Sequence, residues 1–266
     1  MPIIQTDGIR LYYEWHGAAG DPVLVLNNGL LMNAAASWVP QTAAFAASYR
    51  VLQYDFRGQG QSDHPPGPYS MARHADDLAA LFDRLGVDRA HILGISYGGE
   101  VSQAFALRHR ARVRSLVLAG TVSEVGQELR LIVEGWKAAA LSGDTDLFYL
   151  VTAPWNFSPE FIARHAALLA AARERYRTLD LPAVAHLCDA FLEVNFTGAL
   201  RQLDVPACII VGDQDLLKGP RYARILHEAI RGSRIHALSD SGHAASWEAA
   251  AEFNRVVLEF LADVPA

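Results

Sequence analysis

A chain of 266 residues has room for one large α/β domain with an insertion or for two small domains, and 51% hydrophobic residues supply a sizeable core. The formal net charge of −6, without any run of Lys or Arg, argues against nucleic acid as a partner. No apolar run approaches the roughly 20 residues of a membrane span, and the two cysteines, Cys188 and Cys208, make no disulfide framework.

In chain order, the start Met1-Pro2-Ile3-Ile4-Gln5 lacks a basic stretch followed by an apolar one. No signal peptide is therefore expected, and the expected location is cytoplasmic. Ile9 to Trp15 is expected as an antiparallel edge strand. Val23-Leu24-Val25-Leu26, Val51-Leu52-Gln53-Tyr54, Ala90 to Leu93, Ser115 to Leu118 and Ala207 to Val211 are near-continuously apolar. That pattern fits strands buried on both faces of a parallel sheet. Arg234 to Leu238 is the expected last strand. Between these runs, Ala75, Leu78, Ala79, Phe82 and Leu85 recur at helical spacing. So do Tyr222, Ile225, Leu226, Ala229 and Ile230 behind Gly219-Pro220, and Phe253, Val256 and Phe260 near the end. Arg108, Arg110, Arg112 and Arg114 alternate with other residues and read as a solvated helix end. Strand–helix alternation of this kind predicts a doubly wound α/β sheet.

The rhythm breaks between about Ser123 and Leu203. That stretch is aromatic (Trp136, Phe148, Tyr149, Trp155, Phe157, Phe161, Tyr176, Phe191, Phe196) and helical in spacing, without a clear strand. It is read as an inserted cap, residues 123–203, over a core made of residues 1–122 and 204–266.

Gly94-Ile95-Ser96-Tyr97-Gly98 carries the chemistry. A serine on a sharp turn between a buried strand and a helix has its hydroxyl in the open, beside free N–H groups of the helix start. A serine hydroxyl needs a base, usually a histidine oriented by a carboxylate. In such a sheet those partners belong after the C-terminal ends of late strands. Gly212-Asp213-Gln214-Asp215 and Ser239-Asp240-Ser241-Gly242-His243 both sit there. His243 is the expected base, and Asp213 and Asp215 are both open as the acid by location. The other nine histidines fall within expected helices and strands or, for His16 and His64, in early loops, and they read as ordinary structural residues. Asn27-Asn28-Gly29-Leu30-Leu31 follows the first parallel strand. The N–H groups of Leu30 and Tyr97 are the expected oxyanion donors. Asp55-Phe56-Arg57-Gly58-Gln59-Gly60-Gln61-Ser62 fits neither a phosphate loop nor a dinucleotide fingerprint and reads as a structural turn. No metal-ligand spacing is present, so no metal and no cofactor are expected.

These residues resemble the α/β-hydrolase fold family over nearly the whole chain. The resemblance rests on Asn28-Gly29 in place of His-Gly, Asp55 to Ser62, Gly94 to Gly99, Gly212 to Asp215, and Gly242-His243 with Glu248 following. It implies Ser96 as nucleophile, Asp215 as acid and His243 as base, in the family's chain order. The loop motifs through Trp38-Val39-Pro40-Gln41 and Gly67-Pro68-Tyr69-Ser70 are similar to 3-oxoadipate enol-lactonases. The stretch from His186 through Asn195 to Asp215 is similar to hydroxyacyl carrier-protein acyltransferases. Tyr97 departs from both groups, which carry Met and Trp there. The expected activity is hydrolysis of an ester, lactone or thioester of a small apolar or acyl substrate. The alternatives are an acyltransferase using an acyl carrier protein or CoA thioester, and a non-catalytic ligand-binding protein.

Overall fold

The apolar runs become the centre of one eight-stranded sheet. It was obtained as a computed structural model, which describes residues 2–264. Met1 and residues 265–266, the outer ends of the two expected core segments, lie outside the described residues. The strands are β1 (Ile3–Gln5), β2 (Arg10–His16), β3 (Val23–Asn27), β4 (Arg50–Tyr54), β5 (Ala90–Ile95), β6 (Val113–Ala119), β7 (Ala207–Gly212) and β8 (Arg234–Leu238). Their order is β1-β2-β4-β3-β5-β6-β7-β8, with β1 and β2 antiparallel and the rest parallel. One expectation is corrected here: β2 is antiparallel but not the edge. The three-residue β1 covers it, and a strand that short, with only Ile4 half-buried, leaves no readable alternation.

Strand period splits every central run between two cores. Val25, Ile92, Leu116 and Ile209 face one side, and Leu24, Leu26, Leu93, Val117 and Ile210 face the other. The helices are α1 (Ala34–Ser37), α2 (Thr42–Ala46), α3 (Met71–Leu85), α4 (Tyr97–Arg108), α5 (Gln127–Leu141), α6 (Thr145–Thr152), α7 (Pro159–Arg164), α8 (Ala166–Tyr176), α9 (Leu181–Leu192), α10 (Thr197–Leu200), α11 (Pro220–Ala229), α12 (Ala245–Glu248) and α13 (Ala250–Ala262). Leu78 and Phe82 of α3, Phe105 of α4 and Leu226 of α11 cover the first side; Phe45 of α2 and Phe253 and Val257 of α13 cover the second. The helical spacing of α3 starts at Ser70, whose hydroxyl accepts from the Arg73 N–H, and stops at Gly86 in the left-handed region.

Between β6 and β7 the described chain is helical from α5 to α10, with a single bridge between Glu124 and Asn195 closing its base. Asp144, Ser158 and Asp180 cap α6, α7 and α9 with their side chains. Leu129 and Val133 of α5 and Leu187 and Phe191 of α9 join the first core, so this segment is packed onto the sheet.

Helix α4 crosses very close to β3. A Cβ added at Gly98 would lie 2.1 Å from the Asn27 carbonyl oxygen, and that oxygen belongs to backbone that cannot swing aside. The core also holds two neutral histidines. Burial, helped by the Arg57 charge, pushes His74 down to about 3; burial, helped by Arg114 and Arg89, pushes His91 down to about 4.

Two outcomes follow from this packing. Gly98→Ala forces helix and strand apart, and thermal or denaturant melts should register a loss of about 1–3 kcal/mol; an unchanged midpoint would contradict the close approach. For the histidines, the unfolded chain takes up protons near pH 6.5 that the folded chain refuses until about pH 3 or 4. Stability should therefore fall as pH drops below 6.5, by about 1.4 kcal/mol per pH unit for each histidine. His74→Gln should remove one proton from that slope, as measured by denaturant melts between pH 7 and 5; an unaltered slope would contradict a buried neutral His74.

Candidate active site

Ser96 sits between the end of β5 and the first turn of α4. Its backbone lies at φ 50° and ψ −121°, a region rarely taken by a residue with a side chain. The turn is fixed on both sides: Ser96 N–H donates to the Ala119 carbonyl at 2.8 Å, and Gly99 N–H donates to the Ser96 carbonyl at 2.8 Å. This geometry lifts the hydroxyl out of the sheet and leaves it half-buried.

The structure brings Ser96 together with both residues expected from the late strands. His243 Nε2 is 2.9 Å from Ser96 Oγ, and His243 Nδ1 is 2.8 Å from Asp215 Oδ2. A carboxylate only accepts, so Nδ1 carries the hydrogen and Nε2 turns its lone pair to the serine. Asp215 itself is anchored: its Oδ1 accepts the N–H groups of Leu217 and Lys218, each at 2.8 Å. Burial pushes its carboxyl upward, but the His243 charge and hydrogen bond and those two N–H groups outweigh it. Asp215 ends below the usual carboxylate range. Asp213, the other acid left open by location, is exposed and reaches only the Ser241 N–H, at 3.4 Å.

Most of the other histidines are engaged elsewhere. His64 pairs with Asp180, His91 with Ser115, His109 with Asp76, His227 with Ser233 and His236 with Glu252. His74 Nε2 shares a 2.8 Å hydrogen bond with the Tyr97 hydroxyl. The Tyr97 ring is thus committed to the core, edge-on to His74, while its N–H belongs to the helix start behind Ser96.

The loop after β3 is held against Ser96. A Cβ added at Gly29 would meet Ser96 Cβ at 3.8 Å. Asn28 donates to the Tyr54 carbonyl at 2.8 Å and accepts from the Trp38 indole at 2.8 Å, so both ends of its amide are used. Gln59 Nε2 donates to the carbonyls of Gly29 and Leu30, each at 2.9 Å. Sequence reasoning missed this role of Gln59, because a turn residue 30 positions away leaves no local signal. In the same turn, Asp55 accepts from Ala34 N–H and Gln61 N–H, and Arg57 makes a two-pronged pair with Asp77 at 2.6 Å. That turn is structural. Leu30 and Tyr97 both border a small recess that opens at Ser96.

The histidine loop is clamped to the helical segment above it. Glu248 accepts from Gly242 N–H at 3.1 Å and from Ser158 N–H at 3.1 Å, and Ala244 N–H donates to the Asn156 carbonyl at 2.7 Å. Beneath the site, the fully buried Lys218 Nζ donates to both oxygens of Glu100 at 3.0 Å, and Glu100 also accepts from Thr121 Oγ1 and Val122 N–H. This pair spans 118 positions of chain and was not anticipated from the sequence.

Ser96 and His243 open into a cavity of about 250 Å³. Trp136, Tyr149, Phe157 and Tyr176 of the helical segment wall it, whereas Phe148 serves packing and Phe191 borders the smaller recess at Ser96. The walls are apolar apart from Ser96, His243 and a few other polar side chains, among them Asn156 and Arg175. Among the described residues no group of three or more His, Cys, Asp or Glu is placed to hold a metal ion, and no helix is long and apolar enough to cross a membrane.

Comparison with known proteins agrees with this architecture. The profile of the alpha/beta hydrolase fold matches residues 22–250. A RutD protein of Azorhizobium caulinodans, to which a carbamate hydrolase activity is attributed, is 30% identical over 99% of both chains. 3-Oxoadipate enol-lactonase 2 of Acinetobacter baylyi is 28% identical over 96% of this chain and 94% of its own. The crystal structure of the enol-lactonase from Burkholderia xenovorans LB400 superposes with a TM-score of 0.92 at 30% identity, covering 98% of this chain and 100% of that one. This chain belongs to the α/β-hydrolase fold family and is an enzyme of the hydrolase type.

Proposed function

We propose that the protein cleaves a carboxylic ester, lactone or thioester of a small, largely apolar substrate through an acyl-enzyme on Ser96. The observation that carries this reading is the Ser96–His243–Asp215 relay at the floor of an apolar cavity. Similarity to proteins named enol-lactonases favours an oxygen ester or lactone within that class.

In the first step Ser96 Oγ bonds to the acyl carbon while His243 Nε2 takes the hydroxyl proton. The carbonyl oxygen becomes an oxyanion, held by the N–H groups of Tyr97 and Leu30. Asp215 keeps the ring in the reactive tautomer and stabilises the imidazolium, remaining ionised itself. The acyl–oxygen bond then breaks and the proton on His243 passes to the leaving oxygen. In a lactone that oxygen stays tethered to the acyl chain. Water, deprotonated by His243, attacks the acyl-enzyme, and the proton returns to Ser96 Oγ as the acid leaves. Residues 123–203 act as a cap on a core of residues 1–122 and 204–266, supplying the apolar wall that receives the substrate.

Asp215→Asn should keep the fold but present the wrong tautomer, lowering kcat on a p-nitrophenyl ester by about 10⁴-fold; a loss below tenfold would contradict the assigned relay. The product should be free acid. A new ester formed from a carrier-bound or CoA acyl thioester and an added alcohol, with release of the thiol and no free acid, would favour acyl transfer instead.

A further inference from the structure

Three charged side chains lie buried together beneath the site, and the mechanism uses only one of them. Asp215 orients His243, whereas Glu100 is sealed from solvent and Lys218 is 4% exposed. A buried ion pair contributes little to stability by itself, because desolvation offsets the attraction and apolar side chains of similar size do as well. This pair is nonetheless completely built. Lys218 Nζ donates to both Glu100 oxygens at 3.0 Å and lies 4.4 Å over the centre of the Phe191 ring. Glu100 Oε1 also accepts from Thr121 Oγ1 at 2.6 Å and from Val122 N–H at 2.9 Å.

These contacts join the loops that carry the relay. Glu100 lies one turn beyond Ser96 on α4. Thr121 and Val122 follow β6, whose Ala119 carbonyl accepts the Ser96 N–H, and a Cβ added at Gly120 would come within 3.4 Å of the His243 ring. Lys218 supplies one of the two N–H groups on Asp215 Oδ1. One residue thus holds Asp215 through its backbone and α4 through its side chain.

We propose that Lys218 is a positioning residue: with Glu100 as its anchor, it holds Asp215 in line with His243 and offsets the second buried carboxylate beside the relay. Its effect on turnover rests on the hydrolase reading. Two carboxylates and one ammonium leave one net negative charge at rest, and none once His243 has taken the Ser96 proton. Without Lys218 the ring faces two carboxylates with no cation between them; without Glu100 it faces an ammonium with no anchor. The other titratable groups nearby are the same in either case. Tyr97 and Cys188 border the recess, and burial keeps both neutral, raising Tyr97 well above its usual range and pushing Cys188 up to about 12. Tyr149, Tyr176 and Arg175 face His243 from the cavity, and Glu248 holds the loop at Gly242.

The acid limb of kcat/KM on a p-nitrophenyl ester reports protonation of His243 in the free enzyme. Lys218→Met should move it to higher pH and Glu100→Gln to lower pH, each by about half a pH unit or more. Loss of packing alone weakens the Asp215–His243 contact and moves both to lower pH. The double variant Glu100→Gln/Lys218→Met removes both charges at similar side-chain size. It should melt close to wild type and bring the limb back, while kcat falls roughly 10- to 100-fold and KM changes by less than about threefold. The double variant decides by itself where a single variant fails to fold. Wild-type kcat in the double variant, or a limb that stays in place or moves the same way in both single variants, would overturn the proposal. Titration of the His243 ring by NMR repeats the pH readout without turnover. If wild type hydrolyses no ester while that titration shifts in opposite directions in the two single variants, the hydrolase reading fails and the role of Lys218 stands. If wild type turns over and neither the titration nor the double-variant kcat changes, the role of Lys218 fails alone.

Discussion

The backbone of Ser96, held at φ 50° between a strand and a helix, is the constraint on which the site depends. Such a conformation costs on the order of 1–3 kcal/mol. It persists because the elements on both sides are fixed independently: β5 by parallel partners β3 and β6, and α4 by burial of Val101 and Phe105. Full burial of one such side chain contributes about 1.5–3 kcal/mol, so a turn or two of α4 outweighs the strain. The small residues around the serine are part of the same solution, since α4 passes within backbone contact of β3 at Gly98. Strain at one residue thus turns the hydroxyl and the helix-start N–H groups toward the same space.

The groups that serve Ser96 come from distant chain segments and are fixed by buried polar contacts. Asp215 is held by two backbone N–H groups before it meets His243. The residue giving one of those N–H groups, Lys218, sends its side chain to Glu100 on α4. Burial pulls the Lys218 ammonium below its usual range, opposed by Glu100. Breaking such a pair on one side typically costs about 3–5 kcal/mol, more than one exposed salt bridge returns. This cost makes the register between α4 and the loop after β7 strict. Glu248 does the same between the histidine loop and the helical segment above it.

The parts of this protein that could be read in the sequence are those whose signal is local. Central strands announce themselves by being apolar at nearly every position, because both faces are covered, and the late-strand loops then locate His243 and the pair Asp213 and Asp215 by position. The amphipathic spacing of α3, α11 and α13 was equally visible. What escaped was of two kinds. Strand β1 is too short to alternate, so β2 was taken for the edge. The supporting contacts of Gln59, Glu100 and Lys218 join residues 21 to 118 positions apart, and no spacing rule reaches that far. Asp213 and Asp215 were separable by location only once the fold placed one against His243 and the other in solvent. Tyr97 shows a residue with two assignments: its N–H belongs to the helix start behind Ser96, and its ring belongs to the core beside His74.

The central claim is that Ser96 attacks the substrate and carries its acyl group. The most direct measurement is rapid acid quench during turnover of a p-nitrophenyl ester, followed by peptide mass spectrometry. An acyl mass should appear on the peptide containing Ser96, formed at the rate of the p-nitrophenol burst and absent in Ser96→Ala. Full turnover with Ser96 never modified, or an acyl group found on another residue, would contradict it.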